Sequence, residues 1–202
     1  GGTINVGSAT EAGSVSVSGD MVIGNGSLNM FNSSTLLVEG TSSTGNSGSI
    51  NLNDQAKVRF IGDVDMGHGG SMTLNDNTEF SFESNYTTSG GAKINLKNNA
   101  KGFIHNNLIM TNGSITLKND SEITVGGKLT ASGGASIHGN NNAAMYISDY
   151  ANSTKENTYH IKFSGNAFYG QGYFALPVVW KSFDVNVTNN KVSQLVCETA
   201  SE

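Results

Sequence analysis

Two aspartates one repeat apart, Asp54 and Asp76, are the first residues whose type and spacing could do chemistry. If successive repeats stack, the two carboxyl groups stand about 5 Å apart, the separation a retaining pair of glycosidase carboxylates uses. The same repeat position holds Asn32 before them and Asn98, Asn119 and Asn141 after them. An amide cannot serve as acid or nucleophile, whereas Asn and Asp alike tolerate left-handed backbone and bond their own turn. Asn32, Asp54, Asp76, Asn98, Asn119 and Asn141 therefore read as a structural corner ladder. Asp63 or Asp65 could complete a calcium site with them, and the corner reading is preferred to that one too.

Other reactive types are scattered. His68, His105, His138 and His160 fall at unlike repeat positions and do not converge as transition-metal ligands. Serine is abundant for turn reasons, and no Gly-x-Ser-x-Gly elbow with a plausible triad is present. Cys197 stands in a polar tail with no base beside it, and a single cysteine forms no disulfide within the chain. Sequons at Asn32, Asn85, Asn112 and Asn119 follow from the Asn-rich composition and, for Asn32 and Asn119, from the corner. No catalytic, metal or cofactor site is expected, and the chain is expected not to be an enzyme.

The elements that position these residues come from a repeat. Leu28, Ile50, Met72, Ile94, Ile115 and Ile137 recur every 21 or 22 residues, each opening an apolar-x-apolar pair. Further pairs follow at Leu36/Val38, Val58/Phe60, Phe80/Phe82, Ile123/Val125 and Met145/Ile147, then at Val64/Met66, Tyr86/Thr88, Leu108/Met110 and Leu129/Ala131, with polar Ser42/Thr44 in the first complete rung. The fourth rung has Gly102 and Ile104 in the second pair. A glycine there predicts a bulge or a close backbone approach that turns Phe103 inward.

Three short strands of period 2 per repeat bury no core alone. Stacked coil on coil at ~4.8 Å they do. The expected fold is all-β: a right-handed three-sided parallel β-helix, or β-solenoid, with rungs of about 22 residues. Its hand follows from the general preference of parallel connections. Asn25-Gly26 and Asn112-Gly113 could turn hairpins of a sandwich, but both fall at one repeat position. Small inward residues Ser34, Ala56, Thr78, Ala100, Ser121 and Ala143 follow the corner, and outward Thr35, Lys57, Glu79, Lys101 and Glu122 place opposite charges in adjacent rungs. Outward Asn29, Asn51, Thr73, Asn95, Thr116 and His138 form a polar column that lacks the paired Thr rows of an ice-binding array.

Residues 1–147 are thus expected to form the repeats. Residues 148–202, which hold most of the aromatics and the one proline, are expected to form a C-terminal cap over the exposed core end. Within it, the run from Phe183 to Ser193 reads as two strands joined near Asn189-Asn190. The apolar pattern lapses at Thr41 to Ser47 and Glu83 to Gly91, which are expected to be loops. A net charge of −5 without a basic stripe argues against nucleic acid as a partner. No apolar stretch approaches the ~20 residues of a membrane helix. Because Gly1 to Val6 already reads as repeat, the chain is expected to be cut from a longer one, with any membrane anchor outside it.

With its Gly-Ser-apolar-x-apolar strands, Asn/Asp corners and aromatic C-terminal segment, the chain resembles passenger domains of bacterial autotransporters and related haemagglutinin-like secreted adhesins. Cys197 departs from that pattern, since such passengers usually avoid cysteine. The resemblance implies export, display at the bacterial cell surface, an autochaperone-like role for residues 148–202, and attachment to a host-cell receptor, a glycan or sister cells. A glycan-active or tailspike-like β-helix stands as the alternative, to be told apart by an acidic cleft on one face.

Overall fold

The computed structural model describes residues 1–140, 143–147, 154–155, 159–164 and 183–188. Its strands form three sheets in which every third strand of the chain pairs with the next, save that Tyr159–Ser164 and Phe183–Thr188, consecutive described strands, pair directly, and every pair is parallel. The first sheet has 9 strands and the other two have 7 each. No element among the described residues is helical. This is the expected three-sided parallel β-solenoid, and its register is the one the repeat predicts. Ile50 lies opposite Leu28 on one side and Met72 on the other.

Period-2 alternation sends one side chain of each strand inward and the next outward. In Lys57–Phe60, Val58 and Phe60 are buried while Lys57 and Arg59 are exposed. Three such walls close a single apolar interior running from Val6 to Ile147. Within it Phe80 stacks on Phe82 at 4.4 Å, Phe60 meets Phe82 edge-on at 5.4 Å, and Tyr86 lies 5.0 Å from Phe82. This aromatic run ties the second wall to the third, each pair adding about 0.5–1.5 kcal/mol beyond its buried area.

The first corner turns as expected. Asn32, Asp54, Asp76, Asn98 and Asn119 all have positive φ, between 57° and 65°. A short polar side chain that bonds locally offsets the cost of that left-handed backbone. Two residues on, Ser34, Ala56, Thr78, Ala100, Ser121 and Ala143 are all buried, as a tight corner demands. Asn141 lies outside the described residues.

Two local expectations are corrected. Of the two alternatives at Gly102, the close approach is present and the bulge is not: the glycine stays in register between Phe80 and Ile123, and Phe103 is not turned inward but keeps its outward, half-buried place opposite Ser81. The glycine is there because a Cβ would collide with the Phe80 ring. The segments Thr41 to Ser47 and Glu83 to Gly91 are not loops either, since they carry the third-wall strands Ser42–Thr44 and Tyr86–Thr88. Their apolar pattern lapses because hydroxyl groups of Ser42, Thr44, Tyr86 and Thr88 point into the core.

Beyond residue 147 the first sheet continues with Tyr159–Ser164 and Phe183–Thr188, so that Ile137, Ile161 and Val185 share one register position. The second strand expected in this region, Lys191 to Ser193, lies outside the described residues, as does Cys197.

Candidate functional site

On the outer side of the second sheet, charged and hydroxyl side chains meet across three rungs. Lys57, Glu79 and Lys101 share one outward register position, and Arg59, Ser81 and Phe103 share the next. One residue past each strand, the Glu83 and His105 amides still donate to the carbonyls of Phe60 and Phe82. The ladder therefore carries Glu83 and His105 in line beside the Arg59 column.

Glu83 is the hub. Its Oε1 accepts from Arg59 Nε at 2.7 Å and from the Ser81 hydroxyl at 3.0 Å. Ser81 Oγ is also 3.0 Å from His105 Nε2, which is itself 3.8 Å from Glu83 Oε2. The Arg59 hydrogen bond is the main cause that holds the Glu83 carboxyl below its ordinary value of 4.5. Partial burial opposes it, while Ser81 and the charges of His105 and Arg59 assist. Lys57 Nζ lies 3.5 Å from Glu79 Oε2, the charge pairing expected of adjacent rungs.

The direction of these bonds decides what the cluster can do. Ser81 gives its proton to Glu83, so the network is complete when His105 carries its own proton on Nε2 and donates to Ser81 Oγ. A serine nucleophile needs the reverse, a bare imidazole nitrogen facing the hydroxyl. Arg59 is held through Nε, on a side chain 59 % exposed. Beside it a shallow groove of about 380 Å³ runs along the rod over Leu37, edged by Lys57, Arg59 and the hydroxyls of Ser14, Ser16 and Thr35.

The residues singled out for chemistry are spent on structure. Asp54 Oδ2 accepts from the Asn32 amide at 2.8 Å, while Asp76 Oδ1 accepts from Asn98 Nδ2 at 2.7 Å. Asn119 Nδ2 donates in turn to Asn98 Oδ1 at 2.8 Å. The aspartates thus bond to opposite neighbours in the ladder. Asp63 is likewise engaged, by the hydroxyl of Ser84 and by the backbone and side-chain amides of Asn85. Among the described residues no three His, Cys, Asp or Glu side chains gather where they could hold a metal ion.

A second ladder escapes the reading of the sequence. At the corner before the third wall, Asp63, Asn85 and Asn107 stack in successive rungs. Asn107 Nδ2 donates to Asn85 Oδ1 at 3.0 Å, and the Lys128 amide donates to Asn107 Oδ1 at 3.2 Å. Asp20 starts the same column by accepting from the Thr41 amide at 2.7 Å. The signal lies one position before each third strand, where Thr41 and Lys128 interrupt an otherwise Asn/Asp series. No family model, no curated protein and no solved structure matches this chain.

Proposed function

We propose that this chain is part of a secreted, surface-displayed bacterial adhesin, of the kind autotransporter passengers supply, whose rod attaches cells to a host surface or to sister cells. The observation that carries this reading is the contrast between faces of one rod. Outward residues of the first sheet are mostly Ser and Asn or Thr, with Lys93 and His138 as departures, and many satisfy one another, as in the Asn51 to Asn29 to Asn5 chain at 2.9 and 3.0 Å. The second sheet breaks that monotony with Lys57, Arg59, Glu79, Glu83, Phe103 and His105. Because core and hydrogen-bond ladder are supplied by neighbouring coils, such outward positions vary at little cost to the fold. A face that departs from its repeat is where partner recognition has room to develop. The partner is a host receptor, a glycan or a second cell.

The test is attachment. Beads coated with the chain are expected to bind host cells or sister bacteria above beads coated with heat-unfolded chain. Equal binding by both coatings sinks the reading, and release of reducing sugar from glycans by the soluble chain replaces it with a glycan-active one.

A further inference from the structure

We infer that the second-sheet groove is a binding site for an anionic sugar chain, with Arg59 and Lys57 as the groups that take its carboxylate. The assignment rests on the attachment reading for its biological setting and goes beyond it in naming site and ligand class.

The groove crosses four strands, with Ser16, Leu37, Arg59 and Ser81 in one register column. Three strand spacings give it a length of about 14 Å along the rod. Lys57 and Arg59 stand side by side on one strand, two residues apart, so their stems are separated by about 7 Å. That gap suits a carboxylate bridging an ammonium and a guanidinium edge. Both side chains are more than half exposed, at 58 % and 59 %. Their acidic partners Glu79 and Glu83 both come from the next rung on one side. On the other side the lining is Ser14, Val15, Ser16, Thr35, Leu36 and Leu37, so of the described residues that line the groove Glu79 alone is acidic. A chain of net charge −5 thus presents paired cations beside a neutral floor of hydroxyl and apolar side chains.

The form of the ligand follows from what the groove lacks and holds. Around the cation pair its floor is the interior of a sheet, since Lys57–Phe60 is bonded to a parallel strand on either side. An extended peptide finds no free strand edge beside Lys57 and Arg59, the one edge strand of the groove being Ser14–Val17 two rungs away, and recognition at the cations falls to side chains alone. Hydroxyls repeating at the rung spacing, a half-buried Leu37 for a ring's apolar face, and a cation pair for its acid group match a stiff polymer of acidic sugars.

Calorimetric titration of the 202-residue chain with short oligogalacturonates tests this, with neutral galactose oligomers and polyglutamate as comparison probes. Binding is expected for the oligogalacturonate, weaker as salt rises. Arg59→Gln and Lys57→Gln are each expected to weaken it by about tenfold, the scale of one charge-assisted hydrogen bond. Lys93→Gln, on the exposed first-sheet face, leaves it unchanged. Circular dichroism melting verifies that each variant is folded. Absence of binding, equal binding by the Arg59 and Lys57 variants, or equal or tighter binding of polyglutamate or the neutral oligomer overturns the assignment. The two readings fail separately. Coated beads that attach to cells while oligogalacturonate neither binds nor competes remove the groove and leave adhesion standing. Binding through Arg59 with no bead attachment removes adhesion and leaves the groove.

Discussion

The first and second walls of this solenoid are built on the same period and the same register, yet they differ in how far one rung can stand in for another. In the first wall the inward positions are Leu, Ile or Met throughout, from Leu28/Met30 to Ile115/Leu117, and a neighbour could be exchanged with little consequence. In the second wall Phe80 fits only because Gly102 lies beneath it, and Arg59 has its partner only because Glu83 stands one rung on. The repeat makes the rod, and departures from the repeat make particular places on it.

The sharpest break of that comparison is Gly102→Ala. The added methyl would press on the Phe80 ring and on Ile123 in a core with no slack, and such overpacking costs about 1–3 kcal/mol. Trimming the ring in the double variant Gly102→Ala/Phe80→Leu is expected to recover part of the loss, a coupling that urea denaturation reads directly. In the first wall of the same rung, Ile94→Val is expected to cost about 0.5–1.5 kcal/mol and to show no such coupling with Met72. A neutral Gly102→Ala would mean that the second wall is as permissive as the first.

Buried hydroxyls sharpen the contrast at smaller scale. Ser121, at the first corner, accepts from the Lys118 amide at 2.9 Å and donates to the Leu96 carbonyl at 3.3 Å. Tyr86, in the third wall, is fully buried, and its hydroxyl has no hydrogen-bond partner. Burial, with a lesser contribution from the Asp65 charge, pushes the phenol well above its ordinary 10.0, so it stays neutral throughout the working range. Tyr86→Phe is expected to raise stability by about 1 kcal/mol, since it removes a desolvated group that gains nothing in return. Ser121→Ala is expected to lower it by about the same amount. Thermal melts of both variants check the opposite signs, and a destabilised Tyr86→Phe would place a partner on that hydroxyl.

What the residues announce in advance is whatever repeats. Period, register and the first corner are legible because the same residue type returns at the same position in every rung, as Asn32, Asp54 and Asp76 do. The role of Gly102 is not, because it is a size match between a glycine and a ring on another coil. Two segments of the third wall, Thr41 to Ser47 and Glu83 to Gly91, read as loops because Ser42, Thr44 and Thr88 carry hydroxyls on inward positions. The Arg59, Ser81, Glu83 and His105 cluster occurs once, over two columns and three rungs, so no periodic search could raise it. The second ladder is within reach, but one Thr and one Lys hide it.

Those two ladders give the smallest and most specific prediction. The first corner turns through left-handed backbone at every described rung, whereas Asp63, Asn85 and Asn107 at the second lie outside the positive-φ residues. There the side chain serves mainly as an acceptor for the next rung. Hydrogen bonds from Ser84 foremost and then from the Asn85 backbone hold the Asp63 carboxyl below its ordinary 3.8; burial opposes them, and the Asn85 side chain assists to a lesser degree. A folded value below the unfolded one means that the unfolded chain binds the proton more readily. This contribution to stability is therefore complete above pH 3.8 and is lost as pH falls through the lower folded value. The amide side chain introduced by Asp63→Asn still offers an oxygen to Asn85, as Asn85 does to Asn107 at 3.0 Å, but has no proton to take up. Urea midpoints for Asp63→Asn are expected to match the parent near neutrality and to fall less steeply in the acid limb. Parallel acid limbs would show that Asp63 is not a carboxylate favoured by folding, and would make the two corners equivalent.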